Sequence, residues 1–289
     1  MAREQRKRFT YAQNFLIRTA LARQVIEHAA LTSSDLVLEI GPGRGMLTRS
    51  LATACRQVIA IEKDPTLAQR LAREVGTMGN VALFVGDFLD LPLPLTPYKV
   101  VGNIPFNITA AIVSRLTESA NPPEEATLVL QREAADRFLG QPRQTLVALL
   151  LQPWFELSIA YRFRQADFVP PPRVAVVLLR FSKRGPPLIA AEEARGYRDF
   201  VTFGFTAWKP TIGGAFETVL SRERLARLAD QIGFSLRQKP SELTFDQWLT
   251  LYRAFRRVAR GAEWQVIDGA EDRLRAQQER RATQLRDQR

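Results

Sequence analysis

The chain has 289 residues, enough for one large domain and a smaller one at the usual size of about 100 to 200 residues per domain. Its 41 lysine and arginine residues outnumber 30 aspartate and glutamate residues, giving a net charge of +11. The hydrophobic fraction of 46% is that of a folded protein and excludes a largely disordered chain. A folded protein with this charge attracts polyanions, so RNA, DNA and anionic membranes all remain open as partners.

The chain has one cysteine, Cys55, and one histidine, His28. No intramolecular disulfide and no Cys/His zinc cluster can therefore form, and we expect no metal site. Cys55 is typical of core filler, and His28 lies in an amphipathic run that favours a helix-surface position over catalysis. The basic N-terminus lacks an apolar signal region, and no run approaches the roughly 18 apolar residues of a membrane span. We expect a soluble cytoplasmic protein.

Short apolar, β-rich runs alternate with longer stretches of helical pattern over the first two thirds of the chain. This alternation is typical of a sheet with helical crossovers, so the predicted fold class is α/β. The first five predicted strands have connections long enough for helices and should be parallel. The last two are joined by the short segment RQADFVPPPR and should be antiparallel neighbours at one edge. The seven predicted strands are 36–40, 57–62, 81–87, 98–104, 126–131, 157–163 and 174–181.

The composition changes after the last predicted strand. The segment SKRGPP is a linker by its Gly and Pro content, and helical periodicity replaces strands beyond it. Helices are expected around 192–205, 222–233 and 244–260. The domain prediction is residues 1–182 for the α/β domain with a basic N-terminal arm, 183–265 for a basic helical domain, and 266–289 for a charged, disordered tail.

Gly41, Gly43 and Gly45 follow a buried strand in the segment EIGPGRG and precede a helix. Glycines here let the backbone turn tightly and let a ligand approach where any Cβ would collide. The spacing G-x-G-x-G differs from the G-x-G-x-x-G of dinucleotide binders. With Glu39 before it, the pattern resembles the first motif of S-adenosylmethionine-dependent methyltransferases. Taken alone, a simple strand-to-helix turn explains the loop equally well.

Acidic residues end the next two strands. Glu62 lies 21 residues beyond Gly41, where a carboxylate can accept hydrogen bonds from both hydroxyls of a ribose. Asp87 ends the third strand and is placed to accept from the exocyclic amine of a cofactor's adenine, with Phe88 able to pack against the ring. Each acid alone could be a helix cap or a solvated loop residue. Their positions at successive strand ends favour a nucleoside site.

The fourth strand ends in Asn103-Ile104-Pro105-Phe106. An exocyclic amino group is a poor nucleophile because its lone pair is delocalised into the base. The side-chain oxygen of Asn103 and the carbonyl of Ile104 can accept the two amine hydrogens, which favours a more tetrahedral nitrogen. Pro105 has no N–H that would compete for these acceptors, and Phe106 offers a flat face to a base withdrawn from its helix or loop. The alternative is an Asn-x-Pro turn with Phe106 in the core.

These motifs together resemble the ribosomal RNA adenine dimethylases, in the correct order over residues 8 to about 260. The resemblance implies a Rossmann-like seven-stranded methyltransferase sheet with a small C-terminal all-helical domain that binds RNA. It also implies S-adenosylmethionine as the cofactor, no metal, and a monomer. The segments that carry it are QNFL (13–16), EIGPGRG (39–45), IEKD (61–64), GDF (86–88), NIPF (103–106) and FVPPPRV (168–174).

The resemblance assigns roles to individual residues. Phe168 would face the target adenine from the side opposite Phe106; the alternative is a loop aromatic that covers the edge strands. The implied catalytic residues are Asn103, Ile104, Pro105, Phe106 and Phe168. The implied cofactor-binding residues are Asn14, Leu16, Gly41, Gly43, Glu62, Asp87, Phe88 and Asn103.

Two branches of that family differ in the strand-end motif. Housekeeping members typically read N-L-P-Y, so Ile104 and Phe106 favour the erythromycin-resistance branch. The segment GFTAWKPTIGGAF (204–216) also departs from the basic R-R-K-T-L pattern of the housekeeping branch. The resemblance then predicts methylation of an adenine in the peptidyl-transferase loop of 23S rRNA, and resistance to macrolides, lincosamides and streptogramin B.

Three other functions stay open at this stage. One is a small-subunit (16S) rRNA adenine dimethyltransferase that acts in ribosome assembly. Another is a non-catalytic nucleic-acid-binding protein on the same fold, against which the intact NIPF segment argues. A nicotinamide dehydrogenase is disfavoured by the glycine spacing and by the lack of a catalytic histidine or Ser-Tyr-Lys set. The number of methyl groups transferred and the exact nucleotide are also left open.

Overall fold

The structure, a computed structural model, describes residues 14–287. The basic N-terminal arm and Gln13 lie outside the described residues. The chain divides into two compact units. Within the described residues, the first unit contains residues 14–136 and 155–183, and the second contains residues 137–154 and 184–287.

The first unit is built on a seven-stranded sheet in the order β4-β3-β2-β5-β6-β9-β7, and β1 and β8 form a separate two-stranded sheet. The strand β2 is buried at all five positions, as expected for a parallel strand covered on both faces. Over residues 14–287 the strands are β1 Phe15–Leu16, β2 Leu36–Ile40, β3 Gln57–Glu62, β4 Val81–Val85, β5 Lys99–Asn103, β6 Glu125–Gln131, β7 Phe155–Phe163, β8 Phe168–Val169 and β9 Val176–Lys183.

The strand directions follow the sequence prediction. The pairs formed among strands β2 to β6 are all parallel. The strand β9 is antiparallel to both β6 and β7, which places β7 at the edge. Each parallel step has a connection long enough for a crossover, whereas the short β7–β9 connection allows only an antiparallel pair. The seven predicted strands and their directions are confirmed.

Helices lie in most of the connections, but not between β4 and β5, and form most of the second unit. Their ends follow local capping chemistry: the Asp64 side chain accepts from the N–H groups of Thr66 and Leu67, with Pro65 at the first helical position. Over residues 14–287 the helices are α1 Thr19–His28, α2 Met46–Ala54, α3 Pro65–Val75, α4 Thr109–Thr117, α5 Arg132–Leu139, α6 Leu146–Leu151, α7 Ala194–Thr206, α8 Ile212–Phe216, α9 Arg222–Ile232, α10 Phe245–Val258, α11 Gly261–Ile267 and α12 Ala270–Asp287.

The helical unit contains a segment that the sequence analysis assigned to the α/β domain. Residues 137–154 group with the second unit although they precede β7. The reason is the apolar helix α6, whose Leu149 is fully buried and whose Leu149 carbonyl accepts from the Tyr197 hydroxyl at 2.9 Å. The boundary after the sheet lies at Lys183, close to the predicted one. The predicted continuous domain of residues 1–182 therefore differs from the structure by this insertion.

The C-terminal tail also differs from its prediction. Residues 266–289 were expected to be disordered, yet helix α12 covers Ala270–Asp287. The buried carboxylate of Asp199 accepts from the N–H groups of Gly269 and Glu271, both at 3.0 Å. Arg198 makes an ion pair with Glu271 in the same turn. These contacts satisfy donors that a helix start otherwise leaves open, so α12 begins on a fixed support.

Candidate active site

Three chain segments enclose a cavity at the carboxyl edge of the large sheet. They are β1 with the residue before it, the glycine loop after β2, and the segment that ends β5. Because Ile40 pairs with Gly102, the carboxyl ends of β2 and β5 lie side by side, where α/β sheets commonly bind ligands. The cavity is lined by Asn14, Phe15, Leu16, Gly41, Pro42, Arg44, Met46, Leu47, Asn103, Ile104, Pro105 and Phe106.

The sequence analysis predicted seven of these twelve lining residues. It brought Asn14, Leu16, Gly41 and the segment 103–106 into one site. It assigned no cavity position to Phe15, Pro42, Arg44, Met46 or Leu47. Each of these residues lies within a quoted motif or one or two residues after it. Closeness in the sequence to the quoted motifs was therefore the signal that could have found them. Met46 and Leu47 are the first two residues of α2.

The glycine loop has a backbone conformation that glycine adopts most readily. Gly41, Gly43 and Gly45 have φ angles of 66°, 55° and 73°, which strain other residues. A Cβ on Gly43 would lie 2.8 Å from Cε1 of Phe15, so the Phe15 ring rests directly on the loop. The Arg44 guanidinium lies 4.7 Å from the centroid of that ring, within the range of a cation–π contact. Strand β1 therefore covers the loop through Phe15.

Glu62 is a buried carboxylate that holds the glycine loop. It is 1% exposed, and its oxygens accept from the N–H of Gly43 at 3.0 Å and of Asp64 at 2.9 Å. Burial raises the pKa of the Glu62 carboxyl, while these backbone donors act in the opposite direction. An ionised carboxylate has about four lone-pair sites, so two bonds leave capacity for the hydroxyls of a ribose. The structure adds a loop-positioning contact that the sequence did not predict.

Asp87 and Phe88 follow β4 at the same edge of the sheet. The Asp87 carboxylate makes an ion pair with Lys63 and accepts from the Leu89 N–H at 3.0 Å. The hydrogen bond from Lys63 holds the pKa of Asp87 below its usual range. Phe88 is only 4% exposed, and the Arg115 guanidinium lies 5.9 Å from its ring centroid. Asp87 is thus ionised at the edge, whereas most of the Phe88 ring is already covered by protein.

Asn103 ends β5 with its side-chain amide fixed in one orientation. Its Nδ2 donates to the main-chain carbonyl of Asn14 at 2.6 Å. A carbonyl can only accept, so the amide nitrogen must face Asn14 and Oδ1 is left as an acceptor for another group. Asn14 lies directly before β1. The residue that precedes this strand therefore orients the Asn103 side chain, which the sequence analysis singled out for chemistry.

The residues after Asn103 form a rigid turn. The Ile104 N–H donates to the Val129 carbonyl at 3.2 Å, and Ile104 is 2% exposed. Pro105 is extended, with φ −60° and ψ 130°, and a short 3-10 helix begins at Phe106. Phe106 is half-buried and lines the cavity. The segment therefore presents an aromatic ring beside a fixed amide.

Phe168 does not occupy the position that the resemblance implied. It pairs with Leu16 across the two-stranded sheet, is 1% exposed, and packs edge-on against Phe163 with ring centroids 5.4 Å apart. Its faces are covered by core side chains, so it offers no surface for stacking on a base in this arrangement. Its visible contribution is to support Leu16, which lines the cavity.

Glu39 is a charged group that the sequence analysis quoted without a role. It is 1% exposed. Burial raises the pKa of this carboxyl to about 8, while hydrogen bonding from Thr48 acts in the opposite direction. A carboxyl buried in this way costs folding free energy. Glu39 lies in β2, two residues before Gly41.

Two further features bear on the class of protein. No helix within residues 14–287 is long and apolar enough to cross a membrane. In the same part of the chain, no group of three His, Cys, Asp or Glu side chains is arranged to hold a metal ion.

The model of the family described as "Ribosomal RNA adenine dimethylase" matches residues 4–256. The chain belongs to this family. The predictions of an enzyme of this family and of its Rossmann-like α/β fold are confirmed.

Named relatives fall into two groups. The ribosomal RNA small subunit methyltransferase A of Nostoc punctiforme is 33% identical over 271 residues, which are 85% of this chain and 94% of that protein. The rRNA adenine N-6-methyltransferase of Streptomyces fradiae is 34% identical over 260 residues, covering 88% of this chain and 80% of that protein.

Solved structures give the same result for the fold. The crystal structure of the 23S rRNA methyltransferase ErmE superposes with a TM-score of 0.78 at 31% identity, covering 83% of this chain and 99% of that chain. A dimethyladenosine transferase from Plasmodium falciparum has a TM-score of 0.71 at 18% identity, which shows a shared fold.

Proposed function

We propose that the protein transfers methyl groups from S-adenosylmethionine to the exocyclic amine of an adenine in the peptidyl-transferase loop of 23S rRNA. Resistance to macrolides, lincosamides and streptogramin B would follow because the modified base blocks the drug site. The observation that carries the proposal is the Asn103 amide, held by the Asn14 carbonyl with Oδ1 left to accept, beside Phe106 in the wall of the cavity.

The residues present fit S-adenosylmethionine. Gly41 lines the cavity and has no Cβ to obstruct a ligand that approaches the backbone. Glu62 keeps lone pairs for ribose hydroxyls after bonding the loop, and Asp87 is ionised at the next strand end. When bound, the cofactor supplies an electrophilic methyl group on sulfonium.

The chain's own residues prepare the nucleophile. Asn103 Oδ1 and the Ile104 carbonyl accept the two hydrogens of the adenine amine, which concentrates the nitrogen lone pair toward the cavity. Pro105 donates no competing hydrogen bond. Preorganised acceptors of this kind lower the barrier without reorganising during the reaction. A strong general base is not required, which fits a chain with a single histidine, His28, at the end of α1.

The base itself is held by Phe106. Its half-buried ring lines the cavity next to Asn103, so a base withdrawn from a loop can stack on it. With Phe168 buried in the core, we assign the stacking to Phe106 alone in this state. Extracting a base from a loop costs less than extracting it from a duplex, which favours a single-stranded target.

The 23S target is supported by the likeness to the structure of the 23S rRNA methyltransferase ErmE, which is 31% identical and is covered over 99% of its length. The Streptomyces fradiae rRNA adenine N-6-methyltransferase, which matches 88% of this chain, supports methylation of an rRNA adenine. The Ile104 and Phe106 positions agree with that branch. We place the reaction in the cytoplasm, where ribosomes are made, with the protein acting as a monomer.

The second candidate is a 16S rRNA adenine dimethyltransferase. It is favoured by the small-subunit methyltransferases A, for example that of Synechococcus sp., which is 34% identical over 265 residues and 95% of its own length.

Transfer of labelled methyl groups separates the two candidates. The purified protein is incubated with S-adenosylmethionine and protein-free 23S rRNA, and in parallel with 30S subunits that lack their dimethyladenosines. Primer extension then maps the modified nucleotide. We expect one stop in the peptidyl-transferase loop. Labelling of the 30S particle alone would establish the second candidate, and labelling of neither would contradict both.

A further inference from the structure

A groove in the first unit lies outside the cavity and has no role in the proposed chemistry. It runs between the start of α1 and the segment that follows β7. The residues that line it are Arg18, Ala20, Leu21, Arg23, Gln24, Glu27, Tyr161, Arg164 and Asp167. Three arginines and one aromatic ring thus share a single open surface.

The charges of the groove do not cancel. Asp167 is buried at 1% exposure and is held by an ion pair with Arg18 and by the Arg164 N–H at 2.9 Å. Arg23 and Arg164 are exposed and form no ion pair within residues 14–287. Glu27 is then the remaining acid against two uncompensated guanidinium groups. A guanidinium recognises phosphate through a planar fork of donors, so the groove suits a phosphate-bearing ligand.

The sheet register fixes the groove relative to the cavity. Asn103 pairs with Val129, Val129 pairs with Leu178, and Leu178 pairs with Tyr161. Tyr161 therefore lies at the same level of the sheet as Asn103, three strands away. At the usual spacing of about 4.8 Å between strands, this separation is about 14 Å. A register shift between Ile159 and Tyr161 is a β-bulge of the kind that re-aims side chains beside functional sites.

The groove and the cavity are lined by residues that lie close together in the sequence. Arg18 follows β1 by two residues, and β1 with Asn14 forms one wall of the cavity. The Ile17 N–H donates to the Asp167 carbonyl at 3.2 Å, which ties the groove to the same two-stranded sheet. A strand whose target base enters the cavity would pass over this surface within a few nucleotides.

We propose that the groove of Arg18, Arg23, Arg164 and Tyr161 binds the ribose-phosphate backbone of the RNA strand beside the target adenine. This inference rests on the proposed function, because it assumes that RNA is the substrate. Arg23 and Arg164 contact phosphates, and Tyr161 supplies an aromatic surface in the same groove. Arg18 holds the wall of the groove through Asp167. The contacts set affinity and register, without reading the sequence.

Equilibrium binding tests the proposal directly. A fluorescein-labelled RNA hairpin with an adenine in its loop is titrated with wild type, Arg23→Ala, Arg164→Ala and the double variant by anisotropy, at several KCl concentrations. We expect each single variant to bind about tenfold more weakly. The slope of log K against log salt should fall by about 0.7 to 0.9 per arginine removed. Arg73→Ala on α3, an exposed arginine outside both linings, is the matched control and should bind like wild type.

Steady-state methylation separates backbone binding from chemistry. The groove variants should raise KM for RNA by the same factor as Kd, with kcat and the affinity for S-adenosylmethionine unchanged. Both arginines are exposed, so thermal unfolding should not change. Affinities and salt slopes equal to those of Arg73→Ala, in a wild type that methylates RNA, would overturn the groove and leave the proposed function intact. Loss of slope in a protein that methylates neither rRNA would support the groove and contradict the proposed function.

Discussion

The carboxyl edge of the sheet and the aromatic core of the helical unit use buried side chains in opposite ways. At the edge, Glu39 and Glu62 are buried carboxyls with raised pKa values, next to a loop of glycines at positive φ. In the helical unit, Phe200 packs against Phe216, Trp248, Tyr252 and Phe255 at ring centroid distances of 4.8–6.2 Å. The edge of the sheet thus buries ionisable groups beside a ligand-sized cavity, whereas the helical unit fills its interior with aromatic rings.

The comparison separates activity from stability. Burying ionisable groups at the edge costs folding free energy. In the aromatic core, the polar atoms of two large side chains are paired: the Tyr197 hydroxyl donates to Leu149 and Trp248 Nε1 donates to Pro240. Substitutions at the edge should therefore change function more than stability, and substitutions in the core should do the reverse.

The largest effect is expected at Asn103. Asn103→Ala removes the side-chain oxygen that accepts from the adenine amine, so the methylation rate at saturating substrates should fall by about a thousandfold. The variant loses one hydrogen bond to Asn14, so its unfolding midpoint should fall by no more than about 3 °C. Single-turnover methylation and thermal unfolding by circular dichroism measure the two quantities.

Asn107→Ala is the matched control for this prediction. Asn107 is exposed and lies in the same turn, four residues after Asn103. It should keep methylation near the wild-type rate because its side chain does not line the cavity. If Asn103→Ala methylated as fast as Asn107→Ala, the assigned chemistry at the edge would be wrong.

The sheet could be predicted from the sequence because each strand is a short apolar run with its own boundaries. The register across β2 to β6 then places Gly41, Glu62 and Asn103 at one edge without further information. The two-residue strands β1 and β8 carry no such local signal. The paired residues Phe15 and Val169 lie far apart in the chain. The pairing of β1 with β8, and with it the contact between Asn14 and Asn103, could therefore not be derived from sequence spacing.

Long-range contacts also explain the predictions that differ from the structure. The start of α12 is fixed by Asp199, some 70 residues before Gly269, so a polar tail with no local cap forms an anchored helix. Phe168 was expected at a base-stacking surface because the motif resembles one. Its burial depends on Phe163, which only the folded sheet places beside it.

The next effect concerns pH and Glu39. The folded pKa of about 8 lies above the ordinary value of 4.5, so the folded state binds more protons between these pH values. Stability from this group is therefore lost as pH rises through that window. Glu39→Gln cannot ionise, so the difference in unfolding free energy between wild type and variant should change by on the order of 3 kcal/mol from pH 5 to pH 8.

Thermal unfolding of the cofactor-free proteins across this pH range measures the difference. Glu133→Gln removes an exposed carboxyl on α5 and serves as the control, whose curve should run parallel to that of wild type. Parallel curves for Glu39→Gln as well would mean that the buried carboxyl does not titrate in this range. The buried Glu39 carboxyl would then make no pH-dependent contribution to the free energy of unfolding.

The smallest effect is expected in the aromatic core, at Gly204 of α7. A Cβ there would lie 2.6 Å from Cζ of Phe216 and 2.8 Å from Cη2 of Trp248, inside a packed cluster of rings. Overpacking costs about 1 to 3 kcal/mol and outweighs the helix propensity that alanine gains. We expect Gly204→Ala to lower the free energy of unfolding by about 2 kcal/mol while cofactor affinity stays at the wild-type value.

The tryptophans make this prediction specific to the helical unit. All four of them, at positions 154, 208, 248 and 264, belong to that unit, so urea unfolding followed by tryptophan fluorescence reports on the helical core. Gly261→Ala is the control, since a Cβ at Gly261 meets nothing within 4 Å, and it should change stability by less than about 0.5 kcal/mol. A Gly204→Ala variant as stable as Gly261→Ala would show that the core has room to adjust. Loss of cofactor affinity without loss of stability would instead tie the aromatic core to the edge and remove the separation between the two regions.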